Sequence, residues 1–200
     1  QMNPIDSTVW LCTTFARWCD AAPCKHIVIT PGNHDLVFED MWVSMHSHFV
    51  GDDIMHKFKI DTEKVHMLID ETCTVEGLTI HGSPWIYMPN DIWAFVAQDA
   101  DRRKKFSKIP QGCDILITHA PPKVNQYGAV LQPGAFSEGR DFGDPILADE
   151  VARKKPRYHL FGHIHTGDHE MRLLDETRYC NVSLKDEKYQ IAYEPKIFEI

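Results

Sequence analysis

Three times in this chain, a short run rich in β-branched and aliphatic residues is followed at once by side chains able to bind a metal. His26-Ile27-Val28-Ile29-Thr30 stops at Pro31-Gly32 and leads into Asn33-His34-Asp35. Asp114-Ile115-Leu116-Ile117-Thr118 delivers His119, and Tyr158-His159-Leu160-Phe161 leads through Gly162 to His163-Ile164-His165. Runs of this length and composition, bounded by small residues, predict buried strands. Parallel strands of one sheet end at one edge, so side chains distant in sequence converge on the same rim. The expected class is α/β, with the chemistry on loops that leave the strands.

Between these runs, Thr8 to Ala21 predicts a helix capped by Ser7 or Thr8, with Val9, Trp10, Phe15 and Trp18 along one stripe and Pro23 beyond its end. Leu36 to Lys59 is expected to contain a helix. Val65 to Ile69, Cys73 to Val75 and Leu78 to Gly82 read as short strands, with Glu76-Gly77 as a hairpin turn. Helices are expected over Trp93 to Lys108 and Ile146 to Lys155, and closing strands over Thr177 to Leu184 and Ile191 to Ile200. A loop rich in Gly, Pro and Gln from Ala120 to Asp144 is long enough to suggest function. With 200 residues, no repeat and no interdomain linker, one domain over 1–200 is expected.

The net charge of −8 argues against a broad grip on a nucleic acid polymer, which needs clustered Lys and Arg. It leaves room for a small phosphate-ester substrate, because bound cations would dominate the local field. No apolar run is long enough to span a bilayer and no basic-then-apolar segment opens the chain, so a cytoplasmic protein without a membrane partner is expected. Arg102-Arg103-Lys104-Lys105 reads as a solvated helix face. The six cysteines form no C-x-x-C pair and read as buried, reduced thiols, Cys12 and Cys19 on one helix face.

His163 and His165 stand two apart, and a turn after a strand lets both face one site or two adjacent metals. Neutral imidazole suits Mn, Fe, Zn, Co and Ni, and the Asn33 carbonyl oxygen is a hard ligand suited to Mn or Mg. A mixed N/O set without cysteine points to a hydrolytic site rather than structural zinc. His46, His48, His56, His66, His159 and His169 lack the strand-end context and receive no role. Trp85, Tyr87 and Trp93 read equally as a nucleobase wall or as packing, and Arg140 and Asp141 as a solvated loop in preference to a substrate contact. Pro121-Pro122 would fix the loop that aims His119, and Gly167 would permit a tight turn after the histidine pair.

Read in order, G-N-H-D, T-H-A-P-P and G-H-I-H resemble the calcineurin-like metallophosphoesterase superfamily. Gly82-Ser83-Pro84-Trp85, Asp114 to Pro122, Leu160 to Gly167, Asn181-Val182-Ser183 and Pro195-Lys196-Ile197-Phe198 resemble its small MPPED-like (metallophosphoesterase-domain-containing) branch. The resemblance implies a layered α-β-β-α sandwich and two divalent metals, manganese first among Mn, Fe, Zn, Mg, Ni and Co. It implies that Asn33, His119 and His163 bind one metal and His165 the other. His34 would be the catalytic histidine that stabilises or protonates the leaving oxygen, and Asp35 would hold its ring. The implied reaction is phosphate-ester hydrolysis by a metal-bridging hydroxide, with a phosphodiester such as a small or cyclic nucleotide as substrate. A catalytically weak scaffold for protein binding is the alternative. A metallohydrolase of amides or thioesters would gather its first histidines in a cluster such as H-x-H-x-D-H, which this chain lacks.

The family also places an Asp-x-His and then a Gly-Asp upstream of G-N-H-D, and neither is in this sequence. Asp6 reads as a helix-leading residue rather than a ligand. Either the N-terminal β-α-β portion is missing or the chain is a short form with one damaged metal site. The first is expected, because removing two strands from a layered sheet leaves apolar faces uncovered.

Overall fold

Each of the three runs that precede the candidate ligands forms a strand in the computed structural model, which describes residues 4–44, 51–90, 92–131 and 137–200. They are β1 (Ile27–Ile29), β5 (Ile115–Thr118) and β6 (Tyr158–Phe161). The others are β2 (Val65–Met67), β3 (Glu71–Val75), β4 (Leu78–Ser83), β7 (Arg172–Leu174) and β8 (Thr177–Asn181). They form two sheets, a parallel pair β1-β2 and a six-stranded sheet ordered β3-β4-β5-β6-β8-β7. In the larger sheet β4, β5, β6 and β8 run parallel, with Thr118 beside Ser83 and Phe161 beside Thr118, so their C-terminal ends lie level.

The two faces of this sheet bury different layers, as strand alternation requires. Ile80, Ile115, Ile117 and Leu160 pack with Val28 and Leu68 from the smaller sheet and its edge. Leu116 and Phe161 belong to a second core with Phe106, Ile109, Leu147 and Val151 from the helical layer. That layer is α5 (Asp99–Phe106) and α6 (Pro145–Lys154). Asp144 caps α6 by accepting from Ile146 N at 2.8 Å and Leu147 N at 3.1 Å, with Pro145 in the first turn. The fold is thus mixed α/β with sheet packed on sheet and helices outside.

Several local expectations are corrected. The first helix starts earlier, as α1 (Pro4–Trp10), passes through a π-helical turn (Leu11–Phe15) and continues as α2 (Ala16–Ala21). Ser7 and Thr8 therefore lie inside it rather than at its cap. In the π turn Thr13 Oγ1 donates to Val9 O at 2.6 Å, an i−4 bond that competes with the helical ladder. The extra residue rotates the faces, so Leu11 and Cys19 are buried while Cys12 is exposed. Trp10 and Trp18 instead lie exposed, 41% and 56%, and stack on either side of Phe15, which is partly buried against the core. All six cysteines are free, Cys12 and Cys24 at the surface.

Between the loop that carries Asn33 and strand β2, α3 (Leu36–Ser44) and α4 (Gly51–Lys57) fill the segment expected to hold a helix. His46 and His48 lie outside the described residues. The Glu76-Gly77 turn is as expected, with both residues at positive φ as a tight hairpin requires. The helix expected from Trp93 begins only at Asp99, because Ala94 N is drawn to Asn33 O (3.0 Å) and Ala97 N to Ile86 O (3.0 Å). Arg102 is not solvated. It is 3% exposed and its Nε lies 2.8 Å from Asp144 Oδ2, while Lys105 lies over the Trp85 ring. The segment Ile191 to Ile200 forms no strand. It crosses the surface with Tyr193 stacked on His169 and Phe198 on Tyr158. Residues 132–136 of the long loop lie outside the described residues; its described remainder has neither helix nor strand.

Candidate active site

Asn33 and His119 meet although they leave different sheets. His119 Nε2 lies 2.7 Å from Asn33 Oδ1, and the His119 and His163 ring centroids are 4.8 Å apart. The approach depends on Gly32, where an added Cβ would sit 2.5–2.9 Å from three His119 ring atoms. Asn33 is 4% exposed, and its backbone oxygen is pinned by Ala94 N.

The β5 and β6 loops are tied to each other in the same way. Gly162 N donates to His119 O at 3.0 Å, continuing the parallel pairing one step past the strands. Ile164 N then donates to Gly162 O at 2.7 Å, closing a three-residue turn centred on His163, whose φ is +66. That is a strained conformation for a residue with a Cβ. Asn181, at the end of β8 and fully buried, holds the turn from beneath by donating Nδ2–H to Ile164 O at 2.7 Å. Gly167 has no positive φ, so it is not the turn residue expected. It is glycine because an added Cβ would lie 2.1 Å from Tyr127 O of the long loop.

His165 donates from Nδ1 to Asp186 O at 2.8 Å, which leaves Nε2 with a lone pair. His34 is exposed, with its ring edge-on to Trp93 (4.8 Å) and Tyr189 (6.3 Å). Asp35 Oδ2 accepts from Gly32 N at 2.7 Å, so it fixes the loop and opens α3 instead of holding the His34 ring.

Burial, followed by the neighbouring His163, His34 and His165, holds His119 well below the ordinary histidine pKa. Burial, then His165 and His34, brings His163 to about 4. His34 is lowered by partial burial, with His165 and Lys185 adding to the effect and Asp35 opposing it. Asp35 itself is raised by burial. The geometry links the four as two pairs, His119 with His163 directly and His34 with His165 through the Tyr189 ring, and neutral imidazoles are the form that ligates metal.

The donor chemistry suits a divalent cation. Two uncharged imidazoles and one amide oxygen stand together without competing thiolates, a set that fits one hydrolytic cation. Of the expected ligands, only His165 remains for a second. Among the described residues no group of three His, Cys, Asp or Glu side chains is gathered closely enough to hold a metal ion.

Residues 5–167 match the family model described as calcineurin-like phosphoesterase. This chain belongs to the calcineurin-like phosphoesterase family. Within that family it is 33% identical over 187 residues to a UPF0046 protein of Caenorhabditis elegans, covering 89% of this chain and 63% of the relative. It is 28% identical over 209 residues to human metallophosphoesterase domain-containing protein 1, covering 93% of this chain and 58% of that protein. The chain therefore spans about 60% of the length of these curated relatives. The crystal structure of TT1561 of Thermus thermophilus superimposes with a TM-score of 0.55 at 12% identity, over 88% of this chain and 69% of the other, a likeness of fold. In this calcineurin-like phosphoesterase the G-N-H-D loop leaves the two-stranded sheet, the G-H-I-H loop leaves the six-stranded one, and Asn33 and His163 both lie against His119.

Three positioning groups carried no isolated signal in the sequence. His159 is fully buried and bonded through Nε2 to Thr118 Oγ1 (2.8 Å), whose own hydrogen goes to Ala120 O (2.7 Å). That relay fixes the backbone on either side of His119. Asn181 and Ser183 lie in a stretch that resembles the family, but only the fold shows them beneath Ile164. Of the three aromatic candidates, Trp85 is buried with Nε1 on Asp70, Tyr87 lies against Arg102, and Trp93 alone meets His34. Asp141 closes a local turn onto Gly143 N. Asp6 is exposed in the first turn of α1.

Proposed function

We propose that the chain hydrolyses a small phosphodiester, a small or cyclic nucleotide being the preferred class, with two divalent cations of which manganese is the first to test. Asn33, His119 and His163 would hold one cation and His165 would contribute to the other. When bound, such cations supply positive charge at the phosphate and an activated water. His34 faces solvent beside this cluster and, kept neutral by partial desolvation, donates its N–H to the leaving oxygen. Asp35 sets the loop that carries His34, and the His159 relay sets the one that carries His119. The reading also places the protein in the cytoplasm, where six free thiols remain reduced.

One observation carries the proposal: Asn33, His119 and His163 converge although they follow three separate strands. The test is cleavage of bis-p-nitrophenyl phosphate by the full chain with and without Mn²⁺. Cleavage that requires Mn²⁺ and falls by about 10²-fold or more in His34→Ala supports it. Equal rates in the two proteins defeat it.

A scaffold that uses this fold for protein binding is the second reading. It draws on the 2.7 Å contact in which His119 and Asn33 satisfy each other. Mn²⁺ binding measured by calorimetry separates the two, since a scaffold retains no stoichiometric cation.

A further inference from the structure

The turn after β8 returns the chain to the histidine cluster. Lys185 and Ile191 bridge its two sides, and Asp186 Oδ1 accepts from Lys188 N (2.8 Å) and Gln190 N (3.0 Å). Tyr189 sits at its tip with φ +59, a conformation that a bulky residue adopts only when its surroundings hold it there. What is held is the ring: its centroid lies 5.2 Å from that of His165 and 6.3 Å from that of His34, with its plane near perpendicular to both. The same turn supplies the Asp186 carbonyl that accepts from His165 Nδ1 at 2.8 Å. Lys185 Nζ lies 5.9 Å from the Tyr189 ring centroid, and its charge reaches His34.

Tyr189 remains 56% exposed although its ring stands perpendicular to the rings of two residues of the candidate site. An exposed aromatic ring beside a cation offers stacking to a flat group and charge to an anion. Both are features of a nucleoside phosphate, and a simple alkyl phosphate has only the second.

We propose that the Lys185–Tyr189 turn is the substrate-selecting wall of this site, Tyr189 stacking on the base of a nucleoside phosphate and Lys185 meeting its phosphate charge. This rests on the phosphodiesterase reading above and names the residues that give it a preference. Asp186 acts through the turn, as a positioning residue for both Tyr189 and His165.

Equilibrium binding of adenosine 5′-monophosphate and of inorganic phosphate to the full chain in Mn²⁺, followed by calorimetry, tests the assignment without turnover. Tyr189→Ala should weaken the nucleotide about 10-fold or more and leave inorganic phosphate within about twofold, because stacking alone is lost. Tyr189→Phe should bind both ligands like the parent. Lys185→Gln should weaken both ligands by a similar factor. Parental nucleotide affinity in Tyr189→Ala overturns the proposal, as does equal weakening of both ligands in that variant, the mark of a purely structural turn. Failure of the parent to bind either ligand overturns it as well. A parent that binds the nucleotide selectively yet cleaves no diester leaves the wall in place and removes the hydrolase.

Discussion

His119 Nε2 and Asn33 Oδ1 lie 2.7 Å apart, and this contact joins the loop leaving the two-stranded sheet to the loop leaving the six-stranded one. Gly32 makes room for it. In Gly32→Ala the new methyl would overlap the His119 ring and turn it away from Asn33. Hydrolysis of bis-p-nitrophenyl phosphate should fall about 100-fold, the usual cost of displacing a catalytic group by an ångström. Far-ultraviolet circular dichroism should stay that of the parent.

The buried relay behind His119 gives a second expectation. In Thr118→Val the His159 N–H loses its acceptor and Ala120 O loses its donor, so the fold should be about 1–3 kcal/mol less stable. Urea midpoints report that loss. Activity should fall further than stability explains, by about 10-fold at a temperature where both proteins are folded, because supporting bonds aim the group they hold.

Arg102 and Asp144 form an ion pair in which both side chains are 4% exposed. Removing one partner leaves the other charged and buried. Arg102→Leu should therefore cost about 3–5 kcal/mol in urea denaturation. The double variant Arg102→Leu with Asp144→Ser should recover part of it, since serine still caps α6.

Acid sensitivity follows from histidines that burial keeps neutral. His159 is lowered to about 3 and His81 to about 4, both from desolvation first. The unfolded chain takes up these protons near the ordinary value of about 6.5, so between there and about 4 it binds more of them than the folded chain. Stability is thus full above about pH 6.5 and declines as the pH falls towards 4. Each such histidine contributes a slope of up to about 1.4 kcal/mol per pH unit. Urea midpoints between pH 7 and 4 should show the decline, and His81→Gln should flatten it.

What could be read from the sequence was whatever depends on neighbours in the chain. β1, β5 and β6 announce themselves through β-branched runs that stop at small residues, and parallel pairing of β5 with β6 brings His119 and His163 together, whereas β1 lies in the other sheet and packing of sheet on sheet brings Asn33 to them. What could not be read depends on partners far along the chain. Arg102 reads as solvated until Asp144 is found beside it, and His159 has no visible purpose without Thr118. Trp93 to Val96 carries a helical pattern, yet the distant Asn33 carbonyl takes the Ala94 N–H. Ile191 to Ile200 reads as a closing strand, but a strand also requires an edge to join, and there the described bridging is confined to Lys185–Ile191.

The left-handed turn at His163 has a wider consequence. An imidazole in that conformation is aimed against the preference of its own backbone, and the restraint comes from Asn181 on the neighbouring strand. Tolerance to sequence drift is therefore lower at β8 than its chemistry suggests: a change at Asn181 would detune the histidine while the core stayed sound.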